Sequence, residues 1–308
     1  MPGNLRDLRQ KIRSIKSTRQ VTKAMELVSA SKMRRALHNT QVLRDYALLA
    51  WEILERIASA HPGAHPFLEK RPVSRVLCVF YSTDRGLCGN LNAQLFRFVM
   101  QYLSGLKNLK GFESADFIAL GKKGQQFLSR TGANVIAAFG SLTNHPVLKD
   151  VFPLEKMVMD LFLEKKYDQV VLIYPDCVSA LSQLPTAKVV LPLTKGDLDK
   201  MIESMGAHRF AREKENKELK VAEYLFEPTQ DEILRAVVPQ LTEVQIYQAL
   251  LESAASEHSA RMIAMRNASD NASDLIDDLT LAFNQKRQAN ITAELAEISS
   301  SKEAMADR

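Results

Sequence analysis

Two long stretches of this 308-residue chain, Leu5 to Ile57 and Leu241 to Ser300, contain neither glycine nor proline. Without those breakers nothing local stops a helix, and at ~1.5 Å of rise per residue the two would reach about 80 and 90 Å, longer than an ordinary globular domain needs. Cysteine is scarce as well. Cys78, Cys88 and Cys177 are unevenly spaced and include no Cys-x-x-Cys pair, so neither a disulfide framework nor a zinc knuckle organises the chain, and a reducing cytoplasm fits. The longest apolar runs, such as Val76 to Tyr81 and Val170 to Tyr174, fall far short of the roughly 20 residues that span a bilayer, so the chain is not expected to be integral to a membrane. Catalytic signatures are missing too: there is no Gly-x-Ser-x-Gly and no His-Glu-x-x-His, and the six histidines are scattered. The Asn-x-Ser/Thr matches at Asn267, Asn271 and Asn290 fall inside a helical stretch and read as chance.

What is present is a soluble composition, 46 % hydrophobic and 25 % charged. The net charge of +5 is not spread evenly. Between Arg6 and Arg35 ten bases stand against Asp7 and Glu26, a local +8, which leaves about −3 for the rest of the chain. One segment therefore carries the basicity and should seek an acidic partner.

In the C-terminal stretch Val244, Tyr247, Leu251, Ala254, His258, Met262, Met265, Ser269, Ala272, Ile276, Leu279 and Phe283 step by three and four, the seam of a helix against one long partner. Several seam residues are small or polar, so the interface is thin. In the N-terminal stretch Leu5, Leu8, Ile12 and Ile15 keep the same steps, and the track is expected to continue through Val21, Met25, Val28, Ala36, Leu43 and Ala47 after a phase slip near Thr18 to Thr22. His61-Pro62-Gly63 ends it. Arg6, Arg9, Arg13 and Lys16 each follow a seam residue and line one edge. Such a stripe reads as a solvated face, as a mitochondrial presequence, or as a nucleic-acid contact; an uninterrupted track to Ile57 argues against the second, and the lack of aromatics before Tyr46 against the third.

From Arg75 short apolar runs alternate with amphipathic segments. Strands are expected at Val76–Tyr81, Phe117–Leu120, Val135–Phe139, Val170–Tyr174, Lys188–Leu191 and Val221–Phe226, and helices at Asn92–Leu103, Lys122–Arg130 and Leu154–Lys166, a βαβ arrangement with a mainly parallel sheet. Pro228 and Pro239 bracket a short helix before the long one. The loop Ser82 to Asn90 matches no phosphate fingerprint, and Gly121-Lys122-Lys123-Gly124 resembles a phosphate cradle without its preceding Gly and following hydroxyl; tight strand-to-helix turns explain both. Glu257-His258 would ligate a metal only with help from a partner, and Asp274, Asp277 and Asp278 read as a solvated face. No catalytic, cofactor or metal site is expected.

The residues then point to a family. Ile15-Lys16-Ser17-Thr18-Arg19-Gln20-Val21-Thr22-Lys23-Ala24-Met25-Glu26 through Ser31-Lys32-Met33-Arg34 resembles the N-terminal signature of the γ subunits of F-type ATP synthases. The resemblance recurs at Asp84-Arg85-Gly86-Leu87-Cys88-Gly89-Asn90, Val178 to Gln183, Ala255 to Met262, Asn267 to Ala272 and Lys286 to Thr292, in family order along nearly the whole chain. It implies an α/β fold class with a long antiparallel coiled coil, formed by helices at residues 1–60 and 240–300, around a Rossmann-like α/β domain at 70–228, with a polar tail at 301–308. It implies a non-catalytic rotor shaft inside a ring of alternating α and β subunits, whose foot meets the ε subunit and the c ring. Ion flow would turn the shaft and drive ATP synthesis on β. The contacts that carry over fall on Lys23, Met25, Arg261, Arg287, Gln288 and Thr292. Residues 195–220 lie near where chloroplast members carry a regulatory dithiol and contain no Cys. The start at the family's core, without a presequence, favours the cytoplasmic face of a bacterial inner membrane. A nucleotide-using α/β enzyme with dimerising helices is the alternative.

Overall fold

The computed structural model describes residues 5–60, 67, 69, 71–140, 142–143, 146–192 and 230–306. The expected strand at Val221–Phe226 and the segment 195–220 lie outside them. Contacts divide the chain into two units, residues 1–30 with 261–308, and residues 31–260.

Helix α1 runs Leu5–Ala60. Within the larger unit follow β1 (Arg75–Tyr81), α2 (Leu91–Lys107), β2 (Ser114–Leu120), α3 (Lys122–Thr131), β3 (Val135–Phe139), a 3-10 turn at Leu148–Asp150, α4 (Phe152–Leu163), β4 (Gln169–Cys177) and β5 (Gln183–Leu191). Helix α5 runs Gln230–Ala306. The five strands lie in the order β3-β2-β1-β4-β5. β1, β2, β3 and β4 are parallel, as the βαβ alternation requires, and β5 returns antiparallel at the edge through a five-residue hairpin loop, 178–182.

Central β1 is buried from Val76 to Tyr81, and its alternation divides the core. Leu77, Val79 and Tyr81 face one cluster, with Leu154, Val158 and Phe162 of α4 and Val238, Leu241, Ile246 and Leu250 of α5. Val76, Cys78 and Phe80 face the other, with Leu95 and Val99 of α2 and Leu128 of α3. The start of α5 is thus part of the sheet domain's core.

Two expectations change. Pro239 does not separate a short helix from the long one, since α5 is continuous from Gln230 and holds Pro239 inside. The hydrogen bond proline forfeits is offset by the burial of its neighbours Val238 and Leu241, both at 0 % exposure. The α1 seam does not slip either. Val21 and Val28 are each 56 % exposed, while Thr22 and Ser29 are buried. Ile15, Thr22, Ser29, Ala36 and Leu43 keep a strict seven-residue repeat, with hydroxyls where aliphatics were sought. Thr22 satisfies its buried hydroxyl by donating to the Arg19 carbonyl at 3.0 Å, so a polar residue sits on the seam without a stranded donor.

Candidate functional site: a shaft surface and its anchorage

The carboxyl ends of parallel strands are where an α/β sheet ordinarily takes a ligand, and the N-terminus of α3 would be its phosphate cradle. Here the turn after β1 fills it. Lys122 N–H donates to Asp84 Oδ1 at 3.1 Å, Lys123 N–H to the Thr83 carbonyl at 3.0 Å, and Gly124 N–H to Ser82 Oγ at 2.7 Å. Three of the donors a phosphate would use are already taken, one of them by a carboxylate. The glycines serve this contact. A Cβ on Gly121, whose φ is +90°, would lie 2.2 Å from the Ser82 carbonyl oxygen, and one on Gly124 would lie 2.5 Å from Ser82 Oγ. Among the described residues no group of His, Cys, Asp and Glu is arranged to hold a metal ion. Glu257 and His258 are both buried, and Asp274, Asp277 and Asp278 are exposed.

The sheet domain's strongest polar feature is its grip on α5. Tyr81 Oη donates to the Ile246 carbonyl at 3.1 Å, and Ser256 Oγ to the Pro175 carbonyl at 2.8 Å. Ser259 Oγ donates to the Ala180 carbonyl in the β4–β5 loop, to which Gln183 Nε2 also donates, at 3.2 Å. Hydroxyl-to-carbonyl bonds from small side chains let the helix lie close to the strand while satisfying both groups. Ser259 lies in the Ala255–Met262 motif and Ala180 and Gln183 in the Val178–Gln183 motif, so the two motifs meet.

Beside this grip, burial above all, and then the charge of Asp176, push the Glu252 carboxyl up to about 7, with Lys188 opposing. Gln248 Nε2 donates to Glu252 Oε1 at 2.8 Å. Asp176 is itself raised by burial. A carboxyl protonated in the fold but ionised when unfolded stabilises fully below its ordinary value of 4.5, and that contribution is lost as pH rises through about 7. Stability should therefore fall by up to about 3 kcal/mol between those limits. Glu252→Gln should flatten this dependence in urea melts at pH 4.5 to 8; an unchanged slope would contradict the assignment.

In the unit formed by residues 1–30 and 261–308, the guanidinium of Arg9 lies 5.5 Å from the Phe283 ring centroid, and Arg19 Nη1 donates to Ser273 Oγ at 3.3 Å. Ten residues forward on α1 match ten backward on α5, so the helices are antiparallel. Of the twelve seam residues read from α5, the seven from Met262 to Phe283 lie in this unit and are buried or half-buried, whereas Val244 and Tyr247, expected on the same helix seam, pack in the sheet domain's core. Arg6, Arg9, Arg13, Lys16 and Arg19 are exposed, an available basic stripe.

The candidate contact residues do not share one environment. Lys23 is exposed and pairs with Glu26 at 2.9 Å, and Met25 is half-buried. Arg261 is buried at 8 % exposure. Arg287, Gln288 and Thr292 are exposed near the far end of α5, with Thr292 Oγ1 donating to the Gln288 carbonyl at 3.0 Å. Sequence reading placed Val21 and Val28 on the seam, where the structure turns them outward, and passed over Leu27 on α1 and Ile291, Leu295 and Ile298 on α5, the last at 66 % exposure. Positions 291, 295 and 298 step by four and three along one face, the signal that would have found them.

A pair of long antiparallel helices displaying basic and apolar side chains outward, with one helix rooted in an α/β core whose ligand cradle is filled, defines a structural shaft subunit whose work lies in contacts with other chains. The family model described as ATP synthase matches residues 4–305, and the chain belongs to that family. It is similar to the ATP synthase gamma chain of Roseiflexus castenholzii, 40 % identical over 310 residues and covering 100 % of both chains. To that of Legionella pneumophila (strain Corby) it is 36 % identical over 294 residues, covering 95 % of this chain and 96 % of the relative. Among solved structures it resembles the rotor of the Euglena gracilis mitochondrial ATP synthase in rotational state 1, with a TM-score of 0.60 at 19 % identity, covering 93 % of this chain and 98 % of that one. The central stalk/c-ring structure of the Tetrahymena thermophila mitochondrial enzyme matches with a TM-score of 0.57 at 24 % identity, covering 81 % of this chain and 99 % of that one. At such identities the likeness concerns the fold.

Proposed function

We propose that the chain turns as the central shaft of an F-type ATP synthase, coupling ion flow through the membrane sector to ATP synthesis and hydrolysis on the β subunits. It is a non-catalytic subunit of that complex. Its coiled coil sits inside the ring of alternating α and β subunits, and its α/β domain meets the ε subunit and the c ring. The observation that carries this reading is the continuity of α5, whose start belongs to the sheet domain's core and whose later turns pair with α1. A single covalent helix common to both parts passes torque without a joint to slip.

The exposed face suits rotation. A shaft locked by one large complementary hydrophobic interface would rest at one angle, whereas isolated aliphatics and a basic stripe form contacts that re-form at each angle. Lys23 and Met25 act on α1, and Arg287, Gln288 and Thr292 at the far end of α5 meet the β subunits. Arg261, being buried, contributes by holding the helix that presents them. The outward residues Ile291, Leu295 and Ile298 support an apolar bearing around the end of the shaft. No helix among the described residues is long and apolar enough to cross a membrane, and the chain is a peripheral subunit of a membrane complex. The cytoplasmic face of a bacterial plasma membrane is its site, a reading supported by the bacterial gamma-chain relatives.

The test is reconstitution with α and β subunits. Arg287→Ala, Gln288→Ala and Thr292→Ala combined should leave assembly intact, because these side chains are exposed, yet lower steady-state ATP hydrolysis about tenfold, the equivalent of ~1.4 kcal/mol in the limiting step. Full turnover by the triple variant would remove these residues from the coupling contact.

A further inference from the structure

Within the unit of residues 31–260 a half-open cleft of about 240 Å³ is lined by Lys32, Arg35 and Asn39 of α1, His258 of α5, and the apolar surfaces of Ala36, Ala254, Pro146 and Val147. We propose that this cleft is a binding site for a single phosphate-type oxyanion, which nothing in the rotor reading requires or predicts.

The helices build it by spacing. Positions 32, 35, 36 and 39 share one face of α1, and 254 and 258 share one face of α5. Ala36 and Ala254 are small, buried and clustered with Ala255, so the helices approach closely there while the longer side chains around them rim a hollow. The rim is rich in donors, an ammonium, a guanidinium and a side-chain amide, set beside the buried His258 imidazole. No acidic residue lines it. Among the described residues neither Lys32 nor Arg35 meets a carboxylate within ion-pair distance. Two fixed positive charges facing one hollow repel each other, and a dianion between them turns that repulsion into two charge-assisted hydrogen-bonded pairs. The alanine, proline and valine surfaces lower the local dielectric and strengthen those pairs.

Size sets the ligand class. The volume is below the ~300 Å³ at which sites for drug-sized ligands begin, which disfavours a nucleotide and suits one tetrahedral oxyanion with its waters. A bound oxyanion would bridge α1, α5 and the Pro146–Val147 segment, tying three parts of the unit together.

The test uses the purified full chain, which brings no catalytic subunit to bind phosphate on its own account. Inorganic phosphate is titrated against chloride at matched ionic strength and pH 7.5, reading heat and the thermal midpoint. The wild-type chain should bind phosphate saturably with near-unit stoichiometry and melt at higher temperature in it. Lys32→Gln with Arg35→Gln, both at positions not fully buried, should keep the midpoint measured in chloride and weaken phosphate binding at least tenfold. The proposal is overturned if phosphate acts no differently from chloride, or if the double variant binds it as tightly as wild type. It is equally overturned if only polyglutamate, or only phosphatidylglycerol vesicles, bind in a Lys32- and Arg35-dependent way while free phosphate does not. Failure of any of these arms leaves the shaft reading untouched, because reconstituted turnover is measured separately.

Discussion

ATP synthesis coupled to ion flow should fall at least tenfold when Ala268→Pro is placed in α5 of the assembled complex. Ala268 is half-buried in the part of the helix that pairs with α1, in a stretch with no glycine or proline of its own. Proline there removes one helix hydrogen bond and drives its ring against the carbonyl of Ala264, a penalty of ~3 kcal/mol or more that the helix relieves by bending. Thr292 lies 24 residues further on, about 36 Å along the helix axis, so a bend of ~20° would move it sideways by about 12 Å. No contact at the end of the shaft survives such a displacement. Ala268→Gly is the control: it costs about 1 kcal/mol of helix propensity without a clash, and coupling should persist. Ion pumping driven by ATP in membrane vesicles distinguishes the two. Normal pumping by the proline variant would show that α5 transmits no torque through this turn.

The second large effect is on stability. Gly121→Ala should destabilise the sheet domain by about 4 kcal/mol or more, and Gly124→Ala by about 3 kcal/mol. At Gly121 two penalties combine: a positive φ that an L side chain resists, and a backbone oxygen 2.2 Å from the new methyl group, which cannot swing aside. At Gly124 the new methyl meets Ser82 Oγ at 2.5 Å and the Phe80 ring at 2.7 Å. Moving Ser82 also breaks its 2.7 Å bond from Gly124 N–H and its 2.9 Å bond to the Leu120 carbonyl. Chemical denaturation followed by circular dichroism would measure both. Ser82→Gly combined with Gly124→Ala should be less destabilised than the sum of the single variants, since the serine side chain is part of the clash. Strict additivity would show that the two groups do not compete for the same space.

These glycines also mark the difference between a motif and its setting. Gly121-Lys122-Lys123-Gly124 looks in sequence like half of a phosphate cradle, short of the preceding Gly and following hydroxyl. The decision is made 38 residues earlier in the chain, where Asp84 supplies the carboxylate that occupies the donor of Lys122. The α1 seam went the other way. Valines attract a hydrophobic reading at 21 and 28, yet the seven-residue repeat that leads from Ile15 to Ala36 passes through Thr22 and Ser29, and the valines face outward.

By itself the sequence located most of the described elements, though not the continuity of α5 through Pro239. Stretches without breakers can run as long helices, and apolar steps of three and four mark one face of a helix. Apolar runs separated by amphipathic segments mark strands and helices in βαβ order, because each rule depends only on residues close together in the chain, and that order favours a mainly parallel sheet. The tertiary structure alone decided which faces are covered. It made Pro239 an interior residue of α5, because the burial of Val238 and Leu241 outweighs one lost hydrogen bond. It closed the α3 N-terminus with Ser82, Thr83 and Asp84. It gathered Lys32, Arg35, Asn39 and His258 around one cleft, a grouping that depends on how two helices more than 200 residues apart in sequence approach each other, and no local pattern records that distance.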